Sequence, residues 1–163
     1  MTSPHSIVVL GVGNTLMKDD GIGVAAVRAL AEQYRFPPSV RLIEAGVAGL
    51  GLLPFIREAT HLLIIDAVRA GLAPGAILRL TPDDLPKHRG LLLSAHEVGI
   101  TEVIEMARFV GRLPETRIIG VQPLETDTVG LEVTPQLNEA LPQVLMAAVE
   151  ELRALGVEVS DHA

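Results

Sequence analysis

The chain has 163 residues, a formal net charge of −7 and no cysteine. A chain of that size is read as one domain that buries roughly 70% of its unfolded surface. The missing cysteine excludes disulfides, thiolate metal sites and a cysteine nucleophile, and the acidic balance argues against nucleic acid, which is bound mainly by Lys and Arg.

Ile7 to Val12 is an apolar run that predicts a buried strand. It leads into the turn GVGNTLMKDDGIG, residues 11 to 23, in which Gly11 and Gly13 allow tight backbone turning. A dinucleotide loop would carry a third glycine three residues after the second; Leu16 stands there. Asp19 and Asp20 fall where a bound phosphate needs donors, and would repel it. A nucleotide-binding enzyme is therefore disfavoured.

Gly21 to Tyr34 shows helical periodicity, with Val24, Val27, Ala31 and Tyr34 as its apolar stripe. A strand at Val40 to Glu44, a short helical segment at Leu50 to Glu58 and a strand at His61 to Asp66 follow. Next come a strand at Ala76 to Leu80, a helix at Val98 to Val110 facing Ile100, Val103, Ile104 and Ala107 inward, and a strand at Arg117 to Val121. The last pattern, Pro135 to Leu155, begins after Thr134, whose hydroxyl before a proline is a helix-start signal. Pro142 inside it predicts a kink or a change of axis.

Glycine and proline concentrate in the loops, at Leu72 to Gly75, Asp83 to Gly90 and Gln122 to Gly130. Strands alternating with helices, without repeats or a linker, read as one α/β domain over 1–163 with tails at about 1–5 and 157–163. Three Phe, one Tyr and no Trp make its core aliphatic. No apolar run approaches the ~20 residues that span a bilayer. A cytoplasmic protein with no membrane partner is expected, and a monomer is the default.

In an open α/β sheet, ligands collect beyond the carboxyl ends of the strands. Asp20 follows the first strand, Glu44 ends the second, Asp66 ends the third in HLLIIDAV, and Glu125 and Asp127 follow the last. His96, in SAHEVGI, precedes a helix. Each has an ordinary reading: Asp20 as a helix cap, Asp66 as a turn residue, His96 as a loop histidine, Glu44 as a solvated strand end. Taken together, two Asp and a His suit a borderline divalent cation such as zinc or nickel. His61 lies at an odd offset from Asp66, so the two point to opposite faces. His5 and His162 fall in the tails, and His88 sits between Lys87 and Arg89, a basic setting unfavourable to a cation.

In this order the segments resemble the hydrogenase maturation endopeptidases, which process the large subunit of nickel-iron hydrogenases. VLGVGNTLMKDDGIGV, HLLIIDAV, SAHEVGI and GRLPETRIIGVQPLETDTVGLEVTP carry the resemblance, which covers nearly the whole chain. It implies a three-layer α/β/α sandwich around a mostly parallel five-stranded sheet with one antiparallel strand, for which Ala76 to Leu80 is the candidate. It implies that Asp20, Asp66 and His96 contact nickel, with Asp20 or Asp66 catalytic, the nickel being carried by the precursor and other divalent cations able to occupy the site. The family commonly has Asp-Gly-Gly-Thr after the second strand, where this chain reads Glu44-Ala45-Gly46-Val47; Glu44 keeps a carboxylate and is a candidate for recognition. The implied activity is removal of a C-terminal extension from the precursor after nickel insertion. The alternative is a non-catalytic nickel or precursor chaperone of the same fold.

Overall fold

The computed structural model of the protein describes residues 5–46, 49–84, 92–93, 100–109 and 111–162. Its strands are β1 (Ile7–Val12), β2 (Tyr34–Arg35), β3 (Val40–Gly46), β4 (His61–Arg69), β5 (Ile77–Leu80), β6 (Leu92–Leu93), β7 (Glu115–Val121) and β8 (Ser160–Asp161). Its helices are α1 (Ile22–Gln33), α2 (Leu53–Glu58), α3 (Ile100–Phe109) and α4 (Pro135–Ala154). Short 3-10 turns at Lys18–Gly21 and Gly49–Leu52 lead into α1 and α2.

Five strands form the main sheet in the order β3-β1-β4-β7-β5. β3, β1, β4 and β7 run parallel, and β5 pairs antiparallel with β7, as expected for the Ala76 to Leu80 segment. β6 pairs antiparallel with the far end of β4, at Val68 and Arg69.

Side chains alternate between the two faces of the sheet. Val9, Leu63, Ile65 and Ile119 pack with α1 and α4 in one core. Val8, Leu10, Leu62, Ile64 and Ile118 pack with α2 and α3 in the other. The architecture is the three-layer sandwich, with buried strands reading as continuous apolar runs for that reason.

Within α1, Val24 and Val27 are buried as the periodicity predicts, but Ala31 is exposed. The buried stripe runs instead through Ile22, Ala26 and Leu30, four residues apart. Gly23 lets α1 lie directly on the sheet: a Cβ there would come within 2.1 Å of the Ile65 carbonyl oxygen and 2.5 Å of that of Val12.

α4 is one helix that continues through Pro142. The missing amide leaves the Asn138 carbonyl without its intrahelical donor, on an exposed stretch where water can reach it. The expected tail at 157–163 is also corrected. Val157 and Val159 join the α1/α4 core, Ser160–Asp161 pairs with Tyr34–Arg35, and the His162 amide donates to the Gln33 carbonyl.

Candidate active site

The carboxyl ends of the parallel strands place three acidic segments on one rim of the sheet. β1 ends at Val12 and the chain turns through Gly13, whose φ of +128° disfavours any side chain. Asn14 then closes a local turn, its Oδ1 accepting from the Leu16 amide at 2.9 Å and its carbonyl from the Met17 amide at 3.1 Å. The 3-10 turn that follows carries Asp19 and Asp20, both fully buried.

These neighbours live in opposite hydrogen-bonding environments. Asp19 is saturated. Its Oδ2 accepts from the amides of Leu124 and Glu125 and from the Thr134 hydroxyl, each at 2.9 Å, and its Oδ1 accepts from the Thr134 amide at 2.6 Å. It is a latch joining the first turn to the loop between β7 and α4. Asp20 accepts through Oδ2 from the Asn14 amide at 2.8 Å, but its buried Oδ1 has no hydrogen-bond partner among the described residues.

Asp20 does not cap α1. Gly21, which has no side chain to cap with, is the N-cap residue, and the Asp20 carboxylate accepts from the Asn14 amide instead. Thr134 does precede α4 with extended backbone, yet its hydroxyl is given to Asp19 rather than to the helix amides.

Asp66 lies within β4 rather than at its end, since the strand runs on to Arg69. By alternation it shares a face with Leu62 and Ile64. Fully buried, it accepts through Oδ1 from the Ala67 amide at 2.8 Å, while its Oδ2 has no partner among the described residues. Gly13 bridges the two acids: a Cβ there would lie 1.8 Å from the Asp20 carbonyl oxygen and 3.6 Å from Asp66 Oδ1. The fold thus brings the Asp20 turn and Asp66 to one spot.

Buried polar atoms are nearly always paired. A buried carboxylate with an unpaired oxygen is costly unless a proton or a cation completes it. Each such oxygen is chemically suited to meet a cation or to take a proton. Among the described residues no group of three or more His, Asp or Glu makes a complete metal set. His96 lies outside the described residues, as does His88.

The remaining acids are engaged elsewhere. Glu44 is exposed and pairs through Oε1 with Arg28 Nε at 2.8 Å, on the α1 face and away from Asp66. Glu125 Oε1 accepts from the Asp127 amide at 3.2 Å and the Thr128 hydroxyl at 3.1 Å, closing its own loop. His61 turns to the opposite end of the sheet and meets Glu115 Oε2 at 3.1 Å.

Sequence reasoning misses Asp19 and Gln122 as structural residues. Gln122 is buried, and its Oε1 accepts from the amides of Ala70 and Leu72 at 2.7 and 3.2 Å, fixing the loop beyond β4. Its place directly after the continuous apolar strand RIIGV is the available signal.

A mostly parallel α/β sandwich whose glycine-bearing first turn carries buried acids, one of them with an unpaired oxygen, is ill suited to a phosphate and unlike a nucleotide site. The chain belongs to the hydrogenase maturation protease family, whose sequence profile matches residues 24–151. It is 39% identical over 162 residues to the hydrogenase expression/formation protein HupD of Rhodobacter capsulatus, covering 98% of this chain and 77% of that protein. It is 37% identical to the hydrogenase 2 maturation protease of Escherichia coli K12, covering 93% of each. The solved structure of the hydrogenase maturating endopeptidase HybD from E. coli superposes with a TM-score of 0.87 at 33% identity, covering 96% of this chain and 97% of that one. Family membership makes the chain a hydrolase of the endopeptidase type. Among the described residues no helix is long and apolar enough to cross a membrane.

Proposed function

We propose that this protein, acting in the cytoplasm, removes the C-terminal extension from the large-subunit precursor of a nickel-iron hydrogenase once nickel has been inserted. The observation that carries the reading is that two buried acids, Asp20 and Asp66, each keep an unpartnered carboxylate oxygen, with Gly13 between the Asp20 carbonyl and the Asp66 carboxylate, in a chain of this family.

The nickel arrives as part of the substrate. A chain without cysteine offers only oxygen and imidazole donors, and the incoming cation needs no more than these if the precursor supplies thiolates. Asp20, Asp66 and His96 are the residues that would meet it, and their two free carboxylate oxygens make a preformed sensor for positive charge. Bound there, the cation would polarise the scissile carbonyl.

Hydrolysis adds a water oxygen to that carbonyl carbon and breaks its bond to nitrogen. Asp20 or Asp66, once freed from the cation, would take the water's proton and deliver it to the leaving amine. Glu44, exposed and tied to Arg28, is suited to recognition rather than to this proton transfer.

The test is the intact mass of the cognate precursor, nickel-loaded and nickel-free, after incubation with the protein. Loss of a C-terminal peptide from the loaded form alone is expected. Asp66→Asn and His96→Ala should abolish the loss with the circular dichroism spectrum unchanged. Equal cleavage of both forms would remove the sensing role, and binding of the precursor without any shortening would make the protein a chaperone.

A further inference from the structure

Beside the acidic turn, on the α1 side, lies a cavity of about 500 Å³ lined by Lys18, Ala25, Arg28, Leu131 and Asn138, with Glu132 on its wall. Its size is that of pockets that hold small ligands or a few peptide residues.

Lys18 is held in this cavity at a cost. Its φ of 49° makes it the one non-glycine residue in the left-handed region among those described, a conformation typical of functional positions when the surroundings enforce it. The enforcement is visible. The Lys18 amide donates to the Gly130 carbonyl at 2.9 Å, and the Gly130 amide donates to the Leu16 carbonyl at 2.8 Å. The Lys18 stem lies across Gly130, where a Cβ would meet its Cγ at 2.8 Å and its Cε at 3.0 Å.

The ammonium at the end of this pinned stem has no acidic partner among the described residues, whereas Arg28 is already paired with Glu44. In a chain of net charge −7, an unpaired and preorganised cation two residues from Asp20 marks a place where negative charge is welcome. The cavity wall itself is mixed, with Thr15, Glu132 and Asn138 beside Ala25 and Leu131, and exposed apolar side chains, Leu16, Val129 and Leu131 at 54%, 77% and 80%, lie on the two segments of chain that the Lys18–Gly130 bonds tie together.

We propose that this cavity docks the precursor segment next to the scissile bond, with Lys18 pairing with an acidic side chain of that segment and Leu16, Val129 and Leu131 receiving its apolar neighbours. The inference rests on the hydrolytic reading above and assigns the chemistry of the substrate segment that would pass on the α1 side of the turn bearing Asp20.

The experiment measures initial rates on nickel-loaded precursor over a range of precursor concentrations for wild type, Lys18→Ala, Lys18→Arg, Lys18→Glu and Lys18→Gly. Exposed ion pairs are worth little singly, so Lys18→Ala should raise KM by roughly fivefold, and Lys18→Glu further, with kcat within about twofold. Lys18→Arg should restore KM. Lys18→Gly relieves the backbone conformation and should raise Tm while still raising KM, which a purely structural role cannot do. Added salt should raise the wild-type KM and leave that of Lys18→Ala unmoved. Neutralising the extension's acidic side chains one at a time should reveal one that abolishes the sensitivity to Lys18→Ala.

An unchanged KM in Lys18→Glu, with wild type cleaving normally, overturns the docking and leaves the proposed function standing. A dependence on the extension's terminal carboxylate instead of a side chain overturns it as well. Failure of wild type itself to cleave would sink the hydrolytic reading and this inference with it.

Discussion

Adjacent aspartates in one turn should respond oppositely to the same substitution. Asp19→Ala removes an acceptor of four hydrogen bonds and strands the amides of Leu124, Glu125 and Thr134 in a part-buried seam. Hydrogen bonds to a charged group contribute about 1.5–3 kcal/mol each, but water can reach part of this seam, so about 4 kcal/mol is the expected loss. For a domain of this length that lowers Tm by about 8–16 °C. Asp20→Ala deletes a single accepted bond, from Asn14, and with it a buried carboxylate whose other oxygen is unpaired. The two effects oppose, leaving stability within about 1 kcal/mol of wild type or above it. Urea titrations at pH 7 followed by far-ultraviolet circular dichroism, with m held common, measure both. Precursor processing should show a sharp contrast, lost in Asp20→Ala and retained in Asp19→Ala below its unfolding temperature. Equal destabilisation by the two variants would refute the division into latch and site.

Three further outcomes follow from the same geometry. Excess Ni²⁺ or Zn²⁺ should raise Tm in differential scanning fluorimetry, by about 2.7 kcal/mol of added stability at a hundredfold excess over Kd; Asp20→Asn and Asp66→Asn should erase the shift, and a shift that survives both would place the cation elsewhere. Gly23→Ala drives a Cβ to 2.1 Å from the Ile65 carbonyl oxygen, and since α1 cannot withdraw without opening the core, a loss of about 3 kcal/mol or more is expected in the same urea assay. Pro142→Ala restores a backbone donor to the Asn138 carbonyl at an exposed helix position and should stabilise by about 1–3 kcal/mol; a destabilisation would show that the proline is packed rather than merely tolerated.

The strands were legible because burial on both faces demands apolar side chains at every position, and runs such as IVVL and LLII offer neither face to solvent. The antiparallel placement of β5 came from resemblance to a family, not from its residues. What stayed hidden depends on distant contacts. Asp19 and Asp20 are chemically identical in sequence, and only a loop more than a hundred residues away decides which of them is satisfied. Thr134 carries a good helix-start signature, yet its hydroxyl is turned to donate to the buried Asp19 carboxylate and takes no bond from the helix amides. The C-terminal segment could have been read: Val157 and Val159 alternate with polar residues, as in a half-buried strand.

The glycines of the first turn show how one sequence pattern serves two chemistries. In a phosphate loop, close approach of helix to strand brings backbone amides to an anion. Here Gly23 gives the same close approach, with α1 against β1 and β4, but the Asn14 amide at the turn is already given to Asp20 Oδ2. The anion is built into the chain. Spending that donor on an internal carboxylate turns a site made to receive negative charge into one that presents it, and Asp66 reinforces the reversal from the neighbouring strand. A single position tests this. Asp20→Gly should leave the Asn14 amide free and weaken cation binding, and if the turn's geometry alone governed ligand choice, inorganic phosphate would then raise Tm where in wild type it does not. The Asp66 carboxylate, still buried beside Gly13, argues that it will not.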